Sequence, residues 1–308
     1  MWKPDICIYH GGCDDGFGAA WAIWKRWPDC RFVPGIYGEA IDGEEARDKN
    51  VLFVDFSFKR EPMRVLAAVA KSVIVIDHHK TAEAELAPWD VHLGNGQSAT
   101  PEFLVNHLYD PAHAYDPPIV AWFDMTQSGA VMAWKFARPE KTVPLFLELI
   151  QDRDLWKFEF GEATKQFSAA LLTYEQEFNL WDKLAEREST SHLISDGAVI
   201  LRAHNANIRK FMADCYMDTI DGHSVPVVNV PYHYASDMAH ALLSRFPGAP
   251  FTACWFRRRD GMIQYSLRSE NHRLDVSEIA KKFGGGGHRN AAGYQVIANQ
   301  GPVAPMVA

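Results

Sequence analysis

Runs of consecutive apolar residues alternate with segments of helical spacing through the first part of the chain. Residues 5–10 (DICIYH), 51–56 (VLFVDF) and 72–76 (SVIVI) read as strands, and residues 16–27 and 61–71 carry apolar positions at helical spacing. Continuous apolar strands with helices between them predict an α/β fold, built on a parallel sheet with helices on both faces. Ligands bind such sheets at the C-terminal strand ends, so the chemistry is expected there. A helical region follows over 128–174, broken at Arg138-Pro139 and at Gly161, and residues 175–214 read as helical and polar. Beyond Asp221 the pattern changes to strand (SVPVVNV), helix (SDMAHALLSRF), a hairpin turning at Asp260-Gly261, and a final helix (DVSEIAKKF). The predicted organisation is an N-terminal parallel-sheet domain over 1–190, a linker helix region over 191–220, and a smaller mixed α/β domain over 221–308.

Composition narrows the class. Hydrophobic residues make up 47% of the chain and charged residues 23%, which excludes a disordered protein. No run approaches the length of a membrane span, and the first residues lack the pattern of a secretory leader, so a soluble cytoplasmic protein without membrane contact is expected. The five cysteines are scattered and form no CxxC pair, which argues against a disulfide framework or a structural zinc site and for a reducing compartment. A formal net charge of −8 argues against stable duplex DNA binding. The charge is uneven: up to residue 195 there are 19 lysines and arginines against 30 aspartates and glutamates, and beyond it 12 against 9. An acidic part beside a mildly basic one suits cations on one side and an anionic substrate on the other, although solvated acidic surfaces are common.

Each of the three predicted strands ends in aspartate or histidine. The first runs into His10-Gly-Gly-Cys13-Asp14-Asp15-Gly16, the second contains Asp55, and the third leads into Asp77-His78-His79; a further acidic cluster, Asp152-Arg-Asp154-Leu-Trp156, lies in the helical region. Carboxylates can bridge two divalent cations and neutral imidazoles can cap them, so this set suits a pair of metal ions. A lone aspartate after a strand is more commonly a helix cap, but three ionisable groups at one buried strand end need a compensating charge. Near the other end, Gly284-Gly285-Gly286-Gly287-His288-Arg289 strips side chains from the backbone and adds two donors, a pattern suited to phosphate. Arg257-Arg258-Arg259 reads as a solvated turn.

Taken in order, HGGCDDGFGAAW, VLFVDF, VIVIDHHKT and GGGGHRNAAG resemble the motifs of the DHH phosphoesterase superfamily, in the oligoribonuclease (nanoRNase-like) branch with a C-terminal DHHA1 domain, over residues 5–297. The resemblance implies two divalent cations held by the N-terminal domain, manganese first and magnesium as the alternative. It also implies a substrate gripped between the two domains and hydrolysis of a phosphoester or phosphoanhydride. By position, His10, Asp15, Asp55, Asp77, His78 and Asp152 match the metal ligands, with Asp55 bridging and Asp154 competing with Asp152; Trp156 stands where the fourth motif carries an aromatic. His79 and His288 match catalytic positions, and Arg268, Ser269, Gly285, Gly286, Gly287, His288 and Arg289 match the substrate-binding ones. One departure stands out: the first motif usually has two aspartates one residue apart, and here Cys13 takes the earlier place. Asp14 reaches in, or Cys13 is a ligand, or the first metal has one protein ligand fewer; a thiolate would shift preference toward iron or zinc.

The expected function is a phosphodiesterase acting on very short oligonucleotides or dinucleotides, and on a nucleotide bisphosphate. A polyphosphate hydrolase and a nucleotide-binding regulator with a degenerate metal site are the alternatives. The sequence leaves a homodimer open.

Overall fold

Each of the three apolar runs is a strand in the computed structural model, which describes residues 2–36, 43–93, 98–109 and 117–297. In order these residues form β1 (Ile6–His10), α1 (Asp14–Trp24), β2 (Arg31–Gly35), α2 (Gly43–Ala46), β3 (Asn50–Val54), α3 (Arg60–Val69), β4 (Ser72–Asp77), α4 (Lys80–Leu86), α5 (Pro101–Leu108) and β5 (Ile119–Phe123). Helices α6 (Gly129–Ala137), α7 (Leu145–Asp154), α8 (Glu162–Leu171) and α9 (Phe178–Leu184) follow, and then the long α10 (Arg187–Phe211). The strands build one all-parallel sheet in the order β2-β1-β3-β4-β5.

The interior strands are apolar through their middles because alternate residues serve two cores. Leu52, Val54, Ile74, Ile76 and Trp122 pack with Phe17 and Trp21 of α1 and Met132 of α6, while Val51, Phe53, Val73, Val75 and Ala121 pack with Met63, Leu66 and Ala67 of α3. A fully buried side chain of this size contributes roughly 1.5–3 kcal/mol. Two strands carry no clear sequence signal. β2 is an edge strand with Arg31 and Pro34 exposed, and Pro34 is tolerated because an edge leaves one side unpaired. β5 is a run of five buried residues, too short for periodicity to separate it from a buried helical turn.

The chain divides into two compact units at Leu201 and Arg202, within α10. The second unit contains β6 (Tyr216–Ile220), β7 (His223–Asn229), α11 (Ala235–Arg245), β8 (Thr252–Arg257), β9 (Met262–Arg268), α12 (Val276–Lys282), β10 (Gly286–His288) and β11 (Ala291–Ile297). Its mixed sheet has the order β10-β11-β9-β8-β7-β6, with β7 and β8 parallel and the other neighbours antiparallel. Gly261, at φ 85°, turns the expected hairpin between β8 and β9. The α/β class, with a five-stranded parallel sheet first and a smaller unit carrying a six-stranded mixed sheet second, is thus what the structure shows. Among the described residues no helix is long and apolar enough to cross a membrane.

Candidate metal centre

In the strand order 2-1-3-4-5, β1 lies between β2 and β3, so the connections leaving β1 and β3 diverge and leave a crevice above the strand ends. The carboxylates and imidazoles gather at those ends. His10 is the last residue of β1, Cys13 caps α1 and Asp15 lies in its first turn; Asp55 follows β3; Asp77 closes β4, with His78 and His79 after it.

Asp55 lies at the middle of the group. Its Oδ2 is 3.5 Å from His10 Nδ1 and 3.7 Å from Cys13 Sγ, and the sulfur is 3.3 Å from the same His10 nitrogen. Its Oδ1 is 3.0 Å from His78 Nε2, which also faces Asp15 Oδ2 at 3.4 Å and Asp154 Oδ2 at 3.6 Å. The two oxygens of one carboxylate therefore face two different sets of ligand atoms. Asp77 completes a third group with His79 and Asp55: its Oδ1 faces His79 Nδ1 at 2.7 Å and accepts from the backbone N–H groups of His78 and His79 at 2.7 and 3.2 Å.

Backbone geometry makes this approach attainable. Asp55 adopts φ 55°, a left-handed conformation that aspartate tolerates better than most side chains, and its N–H donates to Ile76 O at 2.9 Å. At the start of α6, capped by Ser128, the N–H groups of Gly129 and Ala130 donate to Asp15 at 2.7 and 3.1 Å. Gly129 is also the floor under Asp55: a Cβ there would lie 2.4 Å from the Asp55 Cβ. Ser128 and Gly129 thus belong to the site although neither is ionisable. Their only signal in the sequence is a serine cap opening an apolar helical segment.

The charge balance favours a cation. Burial raises the Asp15 carboxyl well above the usual range, with the charges of Asp55 and Asp154 adding to it and His78 opposing. Burial also disfavours charge on Asp55, yet hydrogen bonds from His10 and His78 hold that carboxyl well below the usual range. His78 supplies the positive charge: burial works against its protonation, but the bond to Asp55 and the charges of Asp154, Asp55 and Asp15 push the imidazole up to about 10. Asp77 Oδ2 is buried without a hydrogen-bond partner among the described residues. A buried carboxylate oxygen without a hydrogen-bond partner, in one group with Asp55 and His79, is a donor that a divalent ion fits. Burial pushes the Cys13 thiol up to about 11, against the lowering effect of His10.

The two aspartates at the end of α7 go to different places. Asp154 stands against His78, its side chain one-third exposed (33%) on the open side of the group. Asp152 is buried and turned away: it accepts from Glu159 N at 2.7 Å, from Phe160 N at 3.2 Å and from the Thr164 hydroxyl, and so knots the turn after the helix. The geometry brings Asp154 and not Asp152 to the other candidate ligands. Burial pushes the Asp14 carboxyl up to about 6, against the lowering effects of Gln176 and of the charge of Arg153, whose guanidinium lies 4.2 Å from the Trp156 ring centre.

In the second unit the candidate phosphate residues are tied into the fold in several ways. Arg268 donates from Nη2 to Ser236 Oγ at 3.0 Å and from Nη1 to Leu267 O at 2.9 Å. Ser269 is buried, and its hydroxyl donates to Leu274 O at 2.6 Å. Arg289 spans the carbonyls of Asn271 and Arg273 at 2.9 and 3.1 Å. The glycine run is regular structure. Gly284 and Gly285 donate to Lys281 O and Ala280 O at 3.0 and 2.9 Å, which closes α12, and Gly286, Gly287 and His288 form β10 against β11. At Gly287, with φ 133°, an added Cβ would lie 2.6 Å from Ala291 O, so only glycine fits this strand pairing.

No family model matches the chain. The uncharacterized protein R106 of Acanthamoeba polyphaga mimivirus is 30% identical over 313 residues, covering 94% of this chain and 67% of that protein. The oligoribonuclease NrnB of Bacillus subtilis is 25% identical over 234 residues, covering 73% of this chain and 53% of NrnB. The chain thus spans about two thirds of one curated relative and about half of the other. Among solved structures, the pGpG-specific phosphodiesterase PggH from Vibrio cholerae aligns over 96% of this chain and 94% of its own, at 11% identity and a TM-score of 0.42. The motif series that resembles the DHH phosphoesterases stands at the strand ends, and by its likeness to R106 over 94% of its length the chain belongs to one family with that protein.

Proposed function

We propose that this chain is a two-metal phosphodiesterase that cleaves very short oligonucleotides or dinucleotides, and removes a phosphate from a nucleotide bisphosphate. The observation that carries the reading is Asp55, whose two oxygens face separate ligand sets at the strand ends. His10, Asp15, Asp55, Asp77, His78 and Asp154 are the residues to hold the ions, manganese first and magnesium as the alternative. Two divalent cations held there would lower the pKa of an attacking water and neutralise charge on the phosphate oxygens.

The protein's own groups do the rest. The N–H groups of Gly129 and Ala130 fix Asp15, so its oxygens need little reorganisation when an ion binds. Asp77 holds His79 by Nδ1 at 2.7 Å, which sets the ring to deliver a proton from Nε2 to the leaving oxygen. Arg268, oriented by Ser236 and the Leu267 carbonyl, supplies a guanidinium for bidentate binding of a phosphate, and His288 adds a second donor. Arg289 and Ser269 hold the backbone around these groups, and Gly285, Gly286 and Gly287 set its path. The name of NrnB, an oligoribonuclease, supports the nucleotide class of substrate.

The test is incubation with Mn²⁺ or Mg²⁺ and a panel of RNA and DNA from dimers to twenty-mers, a nucleoside bisphosphate, a cyclic dinucleotide and polyphosphate. Rapid loss of dimers with little loss of twenty-mers is expected. Turnover of polyphosphate alone would overturn the substrate, and tight nucleotide binding without any turnover would overturn the catalysis.

A further inference from the structure

We propose that Cys13 binds one of the two ions as a thiolate, so that the centre is asymmetric, with a sulfur-containing His10–Cys13–Asp55 half and an oxygen-and-nitrogen Asp15–Asp55–His78 half. The inference rests on the two-metal reading and adds to it the chemical class of each ion: one intermediate to soft, such as zinc or ferrous iron, and one hard.

Three ligand atoms of different elements already stand at coordination spacing. Cys13 Sγ to His10 Nδ1 is 3.3 Å, Sγ to Asp55 Oδ2 is 3.7 Å, and Nδ1 to Oδ2 is 3.5 Å. A tetrahedral first-row ion with ordinary bond lengths to sulfur, nitrogen and oxygen separates such ligands by about 3.3–3.6 Å. The triangle needs almost no movement to close on an ion. As hydrogen bonds the sulfur's contacts with oxygen are long: Sγ lies 3.7 Å from Asp55 Oδ2 and 3.8 Å from His10 O.

A second observation concerns what faces the sulfur. Cys13 caps the eleven-residue α1, and Gly16 N donates to Sγ at 3.2 Å. A neutral thiol is a weak acceptor, whereas a thiolate at a helix N-terminus gains from both the N–H and the aligned peptide dipoles. The adjacent Asp14 joins none of the candidate ligand groups among the described residues, whereas Cys13 does. The other half of the centre offers Asp15, Asp55 Oδ1 and His78, with no sulfur among the described groups there. As the ion binds Cys13, the thiol proton leaves to solvent and the sulfur lone pair forms the bond.

Cobalt substitution tests this without relying on activity. The full chain loaded with Co²⁺ is expected to show a sulfur-to-cobalt charge-transfer band in the near ultraviolet together with visible d–d bands. Cys13→Ser should lose the charge-transfer band and keep the d–d bands. Cys13→Asp, which restores a carboxylate, should also lose the band, keep two ions per chain, and shift ion preference in competition from Zn²⁺ toward Mn²⁺. Visible bands without charge transfer in the unaltered protein, or a charge-transfer band that survives in both variants, would overturn the thiolate and leave the two-metal centre standing. Failure of the unaltered protein to take up cobalt would overturn the centre itself.

Discussion

Asp55 and Gly129 form a pair in which the absence of one side chain gives the other its position. Glycine near a helix start is ordinarily a weakness, and alanine there gains up to about 1 kcal/mol of helix propensity. Here the added methyl would lie 2.4 Å from the Asp55 Cβ, so it must push the carboxylate off both ligand sets. Gly129→Ala is expected to fold with unchanged circular dichroism and to bind Mn²⁺ roughly 10–100-fold more weakly, as measured by calorimetry. Asp14 gives a pH prediction. Burial pushes its carboxyl up to about 6 from an ordinary 3.8, with Gln176 and Arg153 opposing. The folded state therefore holds this proton more tightly than the unfolded chain, and the stability it contributes is present at acid pH and lost as pH rises through that value. In chelator-treated protein, Asp14→Asn should raise Tm at neutral pH and leave it unchanged well below the ordinary carboxyl range. At this scale the residue types of the site were legible, because three ionisable groups at one buried strand end are hard to explain otherwise. The choice between Asp152 and Asp154 was not: two residues apart on a helix they point roughly 200° away from each other. Which one faces the strand ends depends on how α7 packs, and no local pattern encodes that.

The turn after α7 shows how one aspartate can serve a site without touching it. Trp156 and Phe158 both sit at positive φ, 57° and 53°, a conformation costing about 1–3 kcal/mol for each such residue. Asp152 offsets it by gathering the Glu159 and Phe160 N–H groups and the Thr164 hydroxyl onto one carboxylate. Asp152→Ala should therefore lower stability by about 1–3 kcal/mol or more in chemical denaturation while ion stoichiometry, read by elemental analysis of the folded protein, stays the same. Asp154→Asn should do the reverse, with little loss of stability and a marked loss of ion affinity. Among the elements, β3 and β4 were readable because burial on both faces gives each an unbroken apolar run, over 51–54 and 73–76. β2 was not, because an edge strand needs no apolar run. The glycine run marked close backbone contact, but a helix stop and a strand can share the same residues, and their division at Gly285 and Gly286 depends on the pairing with β11.

On the scale of the whole molecule, all the candidate ion ligands lie in the unit that ends at Leu201, and Arg268 and His288 lie in the other. A fragment ending at Phe211, which retains all of α10, is expected to fold and to bind two ions while turning over substrate poorly; circular dichroism and ion content of the fragment check this. In the sequence the pattern changes only beyond Asp221, to a strand, a helix and a hairpin, whereas the division at Leu201 and Arg202 falls inside a helix that carries no mark of it. The parallel sheet also governs the order of events in folding. Cys13 and Asp55 are 42 residues apart in the chain, and Asp15 meets His78 only once β1, β3 and β4 are side by side. Pairings of that span form late, after the entropy of closing the intervening loops has been lost. A centre absent from the transition state cannot speed its formation, but it must come apart before the sheet opens. Divalent ions should thus leave the refolding rate nearly unchanged and slow unfolding, a difference that stopped-flow measurements on the two limbs of the kinetic curve would resolve.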